Sequence, residues 1–272
     1  MHLHYKKIIM DNDTITLIAN ELFNSEKTRV PILPITDTYP DLTLEEAYKI
    51  QLASIDIRKL SGQRVIGKKV GLTNTAVQKV RGILEPDYGH IMDTHIGRQD
   101  IPLKMSELMI SPAIEAEIAF ILKKELKGPG MTCAAVLDAI GGIMPAFEIV
   151  ERRCFPLSKT IQDSICDNAA CGKVIFGNKL TTKFDIDFRT IGLLIEKNGV
   201  PIDMSCSASV LGSPVESIVW LVNKLATFGE KLHENEVIIT GSIGLMHEVK
   251  AGDIFYAHFG EGLGSVKVCF TK

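Results

Sequence analysis

The chain has 272 residues, of which 46% are hydrophobic and 23% are charged, and its formal net charge is −3. These values are ordinary for a folded soluble protein, and the length allows one large domain with a sizeable core. The slightly acidic charge and the single Trp offer no basic or stacking surface for nucleic acid. The sequence also has no apolar run close to the roughly 20 residues that cross a bilayer.

The N-terminus and the cysteines indicate where the protein works. Residues 1–10 carry His and Lys but no apolar segment or small-residue cleavage site, so they do not form a signal peptide. The six cysteines contain no C-x-x-C pair and are not dense enough for a disulfide framework. We therefore expect reduced thiols and a cytoplasmic protein.

The first sixty residues are predicted to be helical. Residues 11–23 have apolar side chains near helical spacing, and the Pro-rich residues 31–40 are predicted to be a loop. A second helix starts with Thr43 as the N-cap and Glu46 in the first turn, where the helix dipole favours negative charge. It is expected to end near Gly62. Residues 1–62 are therefore predicted to form a small helical N-terminal region.

From Arg64 onwards the sequence becomes rich in short β-type runs. These runs cover residues 65–67, 114–122, 147–150, 173–176, 191–196, 237–240, 254–259 and 265–270. Helices are predicted only over 132–140, capped by Thr132, and over 214–228. Because there is no regular βαβα alternation, we expect an α+β fold in which residues 63–272 form a mixed β-rich core with flanking helices.

Acidic residues interrupt two of the apolar strands. Glu115 and Glu117 share one face of the strand at 114–122, and their like charges would be costly if that face were buried. A hard divalent cation with oxygen ligands would remove this cost, and Glu148 in a second apolar strand could supply a third ligand. The alternatives are a solvated strand face for the first two residues and an ion pair between Glu148 and Arg152 or Arg153.

Two lysines lie between glycines directly after the start of a strand, in the run Gly67–Gly71. Because alternate side chains of a strand face opposite sides, one lysine of this pair can point inward. A partly dehydrated lysine can serve in proton transfer. A solvated surface pair is the alternative.

Three further segments could contribute to a site. Residues 85–90 have the composition of a turn, and Asp87 within it could be catalytic or could serve only the turn. Residues 163–172 are dense in small and polar groups, and could line a pocket or form an ordinary loop. Backbone N–H groups of residues 240–244 could bind a carboxylate, although a plain turn would explain the same sequence.

Taken together and in order, these segments resemble one family. They are Gly67–Thr73, Glu85–Gly89, Ile114–Ile118, Pro145–Glu148, Asp167–Gly172, Thr240–Ser242, Ala251–Asp253 and Gly262–Val266. The set is similar to the 2-keto-4-pentenoate hydratase and 4-oxalocrotonate decarboxylase family of the fumarylacetoacetase superfamily, over about residues 40–270. Each motif is weak alone, whereas the ordered set is specific.

The resemblance implies a fumarylacetoacetase C-terminal-like core, catalytic groups and an assembly. Mg²⁺ or Mn²⁺ would be bound by Glu115, Glu117 and Glu148, and Lys69 and Asp87 would be catalytic. The expected substrate contacts are Leu72, Asp167, Asn168, Thr240, Gly241 and Ser242. The family also implies a homo-oligomer, a pentamer or larger, which could associate with a decarboxylase or aldolase of its pathway.

The implied function is a hydratase of aromatic meta-cleavage catabolism that adds water to 2-hydroxypenta-2,4-dienoate or a close analogue. The segment Pro86–Gly89 is more typical of the hydratases than of the decarboxylases. Ser213 and Leu245 depart from the family pattern, which leaves the exact substrate open. The alternatives are decarboxylation of a 2-oxo-3-enedioate, hydrolysis of an acylpyruvate, and a non-catalytic paralogue that binds a pathway enzyme.

Overall fold

The computed structural model of the protein describes residues 10–83, 85–157, 160–182 and 185–272. Its helices are α1 (Asn12–Thr28), α2 (Ile35–Thr38), α3 (Leu44–Leu60), α4 (Thr75–Arg81), α5 (Cys133–Ala139), α6 (Ile161–Cys166) and α7 (Pro214–Ala226). Its strands are β1 (Val65–Gly71), β2 (Asp87–Met92), β3 (Ile96–Gly97), β4 (Leu103–Lys104), β5 (Ala113–Leu122), β6 (Ile140–Val150), β7 (Cys171–Phe176), β8 (Gly192–Lys197), β9 (Val200–Cys206), β10 (Val237–Ile239), β11 (His247–Glu248), β12 (Ile254–Phe259) and β13 (Gly264–Thr271). No helix in these ranges has both the length and the apolar character that crossing a membrane requires.

The N-terminal helices begin at side-chain caps. Asp11 accepts a hydrogen bond from the Thr14 N–H at the start of α1. Thr43 is the N-cap of α3, as predicted, and it also forms a reciprocal capping box with Glu46. Helix α1 runs five residues further than residues 11–23 indicated, and the predicted Pro-rich loop contains the short helix α2.

The larger sheet has eight strands and places the acidic residues at its centre. Seven of its strands follow the order β2-β1-β10-β5-β6-β7-β3, and β11 pairs with β5 outside this path. The long strands β5 and β6 are antiparallel neighbours. Strand β1 pairs with β10 in parallel and with β2 antiparallel, which brings the Gly67–Gly71 run to the same sheet.

The smaller sheet has five strands in the order β4-β13-β12-β8-β9, and β13 packs against β6 and β7 of the larger sheet. Apolar side chains from both sheets and from the helices share one core. The expected α+β architecture with a mixed β-rich core is confirmed. The division into residues 1–62 and 63–272 stays a prediction, and buried side chains of α1 and α3 belong to the shared core.

The prediction of a turn over residues 85–90 is wrong, because Asp87–Met92 forms the fully buried strand β2. Pro86 precedes the strand, where its missing N–H costs no ladder hydrogen bond. Position 89 of this strand requires glycine, because a Cβ there would lie 2.2 Å from the Asn168 carbonyl oxygen. The glycine in this segment therefore reflects the close approach of the Asn168 backbone to β2, and not a turn. The sequence also gave no prediction of α4 or β9.

A buried ion cluster ties the first helix to the end of the large sheet. Arg153 is 2% exposed, and its guanidinium pairs with Asp167 and lies 3.0 Å from Glu26 of α1. It also donates to the Cys171 carbonyl oxygen at 3.0 Å. Arg58 of α3 contacts the same Glu26 carboxylate at 2.6 Å. The cluster thus joins α1, α3 and the segment between α6 and β7.

Replacing Arg153 with Met should lower the free energy of unfolding by about 3–5 kcal/mol, because Asp167 would be left buried without its cation. Urea unfolding monitored by circular dichroism measures the change. Arg98→Met is the control, since Arg98 pairs with Asp100 on the exposed surface and should have little effect. Equal stability of the two variants would contradict the prediction.

Candidate active site

Three carboxylates meet where β5 pairs with β6. In the register of these strands, Glu115 lies directly opposite Glu148, and Glu117 lies on the same face two residues along. One oxygen from each residue lies within 4.8 Å of the others. Glu117 is 0% exposed, so the interpretation as a solvated strand face is wrong for this residue, and Glu148 is also 0% exposed.

The buried carboxylates have unused hydrogen-bonding capacity. Glu117 Oε2 accepts from the Gly241 N–H at 2.6 Å, whereas Glu117 Oε1 and Glu148 Oε1 have no hydrogen-bond partner among the described residues. Burial and the neighbouring carboxylates raise the pKa of Glu117 well above its usual value. Burial also raises the pKa of Glu148 to about 7, despite the opposing effect of Lys69. A set of hard oxygen donors with orphaned lone pairs fits a divalent cation.

Lys69 of β1 places a positive charge against this cluster. Its Nζ lies 3.2 Å from Glu148 Oε2 and donates to the Ala169 carbonyl oxygen at 2.8 Å. The predicted alternation is observed, because Lys68 faces the other way and pairs with Glu236 at 3.2 Å. Both lysines are buried, so the solvated-pair alternative is wrong. Burial opposes the charge of Lys69, but Glu148 and Asp87 outweigh it and hold its pKa above the usual value.

Asp87 lies beside Lys69 at the start of β2. It is 1% exposed, and its Oδ2 accepts from Ser164 Oγ at 2.6 Å. A Cβ on Gly71 would lie 2.3 Å from Asp87 Oδ1 and 3.2 Å from Lys69 Nζ, so the absence of that atom makes room for both groups. Burial raises the pKa of Asp87, against the effects of Lys69 and Ser164. Two groups able to transfer protons therefore share one wall of the site.

A cavity of about 250 Å³ opens onto these groups. Lys69, Asp87 and Glu115 lie on its wall together with Leu72 and Ser242. The apolar part of the wall includes Val77, Ile83, Val150, Ile161, Leu245 and Met246. One end of the cavity thus carries charged and ionisable groups and the rest of its wall is apolar, which suits a small organic acid.

Several predicted substrate contacts are occupied by other protein groups. Both side-chain oxygens of Asp167 are bound by Arg153. The Asn168 side chain binds the backbone of His90, and Thr240 Oγ1 donates to the Ile118 carbonyl oxygen at 3.3 Å. The assignment of all six residues as substrate contacts stays a prediction.

The structure adds site residues that the sequence did not single out. Ser164 of α6 supports Asp87, and Arg152 lies on the cavity wall with its Nη2 3.4 Å from Met246 Sδ. The carbonyl of Ala169 binds Lys69. The composition of residues 163–172 was a usable signal for Ser164 and Ala169. A backbone carbonyl and a cavity-facing arginine leave no pattern in the sequence.

The raised carboxyl pKa values predict how metal binding depends on pH. Glu148 and Glu117 must lose their protons to bind a cation, and the metal-free protein becomes less stable as pH rises from the ordinary carboxyl pKa through about 7, where Glu148 ionises. Mn²⁺ should therefore raise the Tm more at about pH 8 than at about pH 5.5. Differential scanning fluorimetry measures both gains.

Glu148→Gln, which cannot ionise, should reduce the gain at the higher pH, whereas Glu45→Gln on the exposed face of α3 should leave it unchanged. Equal gains at both pH values in the unmodified protein would contradict the proposed competition between protons and metal.

Comparisons with known proteins agree with this geometry. The family model for fumarylacetoacetate (FAA) hydrolase C-terminal matches residues 77–271. A 2-hydroxypent-2,4-dienoate hydratase of Pseudomonas putida is 40% identical over 81% of this chain and 99% of the relative. A 2-oxo-hept-4-ene-1,7-dioate hydratase of Escherichia coli is 36% identical over 97% of this chain and 100% of the relative. A solved 4-oxalocrotonate decarboxylase of Pseudomonas putida G7, complexed with magnesium and adipate, is 30% identical, covers 96% of this chain and 99% of its own, and superposes with a TM-score of 0.93.

Proposed function

The chain belongs to the fumarylacetoacetate hydrolase C-terminal family, and from that premise we propose that it is a metal-dependent hydratase. The substrate is 2-hydroxypenta-2,4-dienoate or a close analogue, and the product is a 4-hydroxy-2-oxo acid in aromatic meta-cleavage catabolism. The observation that carries the proposal is the convergence of three carboxylates beside a buried Lys and a buried Asp at one end of a cavity of about 250 Å³. This arrangement suits an acid whose reaction proceeds through an enolate.

Glu115, Glu117 and Glu148 are proposed to hold Mg²⁺ or Mn²⁺. The orphaned oxygens of Glu117 and Glu148 fit such an ion, and oxygen donors are the ligands that both metals prefer. When bound, the cation would act as a Lewis acid toward the carboxylate and 2-oxygen of the substrate.

Lys69 and Asp87 are proposed to move the protons. The dienol must lose its O–H proton and gain one at C5 to become the 3-en-2-one; water then adds at C4, and C3 takes up a proton. Lys69 is held in its charged form next to Glu148, so it can donate. Burial favours the protonated form of Asp87, which Ser164 orients, so Asp87 can exchange a proton with water or substrate.

The apolar wall is proposed to receive the hydrocarbon end of the substrate. Leu72 and Ser242 lie on the cavity wall, and the backbone N–H of Gly241 holds Glu117 in place. Excluding bulk water around the enolate strengthens every charge interaction in the site.

Decarboxylation of a 2-oxo-3-enedioate is the second candidate, since a decarboxylase superposes closely on this chain. Several hydratases among the relatives are more similar in sequence, such as the 2-hydroxypent-2,4-dienoate hydratase at 40% identity against 30% for the decarboxylase. The complete carboxylate set argues against a non-catalytic paralogue.

The location, the oligomeric state and the partners of the enzyme are also proposals. We propose that it works in the cytoplasm as a homo-oligomer of five or more chains that can associate with a pathway decarboxylase or aldolase. An exposed apolar row on strand β9 supports self-association: Val200, Ile202 and Met204 are 60%, 38% and 79% exposed. Light scattering measures the assembly directly.

Glu117→Ala should reduce kcat/KM by about 100-fold or more while leaving the fold intact, because it removes one proposed metal ligand. The rate of hydration of 2-hydroxypenta-2,4-dienoate, monitored as the loss of dienol absorbance, measures the effect. Glu125→Ala is the control, because Glu125 pairs with Lys231 at the surface. Full activity of Glu117→Ala would refute the assignment of the site.

Incubating the protein with the dienol and, separately, with a 2-oxo-3-enedioate distinguishes the two candidate activities. We expect a 4-hydroxy-2-oxo acid from the dienol and no CO₂ from the dioate, measured by NMR of the products and by CO₂ release. Release of CO₂ from the dioate without hydration of the dienol would contradict the hydratase assignment and support the decarboxylase.

A further inference from the structure

The outer edge of β2 is bound by side-chain amides. β2 stands at the end of the described order of the large sheet, so its outward backbone groups need other partners. Asn168 Oδ1 accepts from the His90 N–H at 2.7 Å, and Asn168 Nδ2 donates to the His90 carbonyl oxygen at 2.9 Å. Asn168 therefore occupies the place that a neighbouring strand would take.

The turn that carries Asn168 has a costly backbone. Asn168, Ala169 and Ala170 have φ values of 53°, 51° and 55°, and left-handed conformations are disfavoured for alanine in particular. Such a turn persists only when its surroundings determine it. The double hydrogen bond to His90 fixes the start of the turn, and the Glu151 N–H donates to the Ala170 carbonyl oxygen at 2.9 Å at its end.

The turn directs one carbonyl at the proposed proton donor. Ala169 O accepts from Lys69 Nζ at 2.8 Å, in addition to the contact of Nζ with Glu148 at 3.2 Å. Gly89 permits this approach, because a Cβ there would lie 2.2 Å from the Asn168 carbonyl oxygen. The position of the ammonium thus depends on a turn that the Asn168 side chain holds.

We propose that Asn168 is a positioning residue, which acts on Lys69 through the Ala169 carbonyl and does not contact the substrate. This rests on the proposed function, in which Lys69 transfers protons. Asn168 is 3% exposed and is absent from the cavity wall, and both polar atoms of its side chain bind His90. Under this proposal, Asn168 makes a contact within the protein in place of the substrate contact expected from the sequence.

Asn168→Gly tests the proposal without adding strain, because glycine accepts a positive φ. We expect kcat to fall about 10- to 100-fold, since small misplacement of a reacting group is costly. KM should stay within about threefold of the unmodified enzyme, because no substrate contact is lost. Mn²⁺ binding, measured by titration calorimetry, should be retained, since all three carboxylates of the cluster are kept.

Asn198→Gly is the matched control. Asn198 also has a positive φ, of 54°, and its side chain also accepts from a backbone N–H, that of Ile254. It lies between β8 and β9, away from the cavity wall. We expect kcat and KM of this variant to match those of the unmodified enzyme.

Gly89→Ala tests the same contact from the opposite strand and covers the case in which Asn168→Gly does not fold. It should push the turn away from β2 and lower kcat with little change in KM. A rise in KM at unchanged kcat in Asn168→Gly would mean that Asn168 binds substrate, and would overturn the proposal. Unchanged kcat in either folded variant would overturn it as well. If the unmodified enzyme hydrates no dienol, the proposed function fails first and separately.

Discussion

The structure is organised around mutual repulsion among three carboxylates, of which Glu115 reaches the cavity and the other two are removed from water. Strand pairing places Glu115 opposite Glu148 with Glu117 alongside, and two of the three are fully buried. Like charges at this separation in a low-dielectric interior are tolerated only when protons or cations compensate them. Lys69 supplies part of that compensation, and the orphaned oxygens leave room for more.

The rest of the large sheet keeps the compensating groups in place. Strand β1 holds Lys69 opposite the cluster, and β2 beside it holds Asp87. Gly71 and Gly89 permit two close approaches that any side chain would block. The two groups proposed to transfer protons therefore lie on strands, which hold geometry more tightly than loops do.

Much of the fold and of the site could be predicted from sequence because the relevant signals are local. Thr43 as N-cap, with Glu46 in the first turn, marked the start of α3, and alternation along residues 114–122 placed both glutamates on one face. The failures have a tertiary origin. Residues 85–90 have turn composition, but Gly89 serves a neighbour 79 residues away in the chain, at Asn168. No local pattern separates an asparagine that binds substrate from one that binds an edge strand.

The ion cluster at Glu26 links the chain's beginning to its chemistry. Glu26 and Gln51 both precede residue 77, where the family match starts. Yet Glu26 forms an ion pair with Arg153, which in turn pairs with Asp167, the residue that precedes the turn at Asn168. Gln51 donates to both Tyr88 O and Ile165 O at 2.8 Å. Helices α1 and α3 consequently support the segments that form the candidate active site. In a chimera, exchanging these helices without the residues that bind Glu26 and Gln51 would displace the segments around the site. The helices and their partners in the rest of the chain are therefore expected to be inherited together.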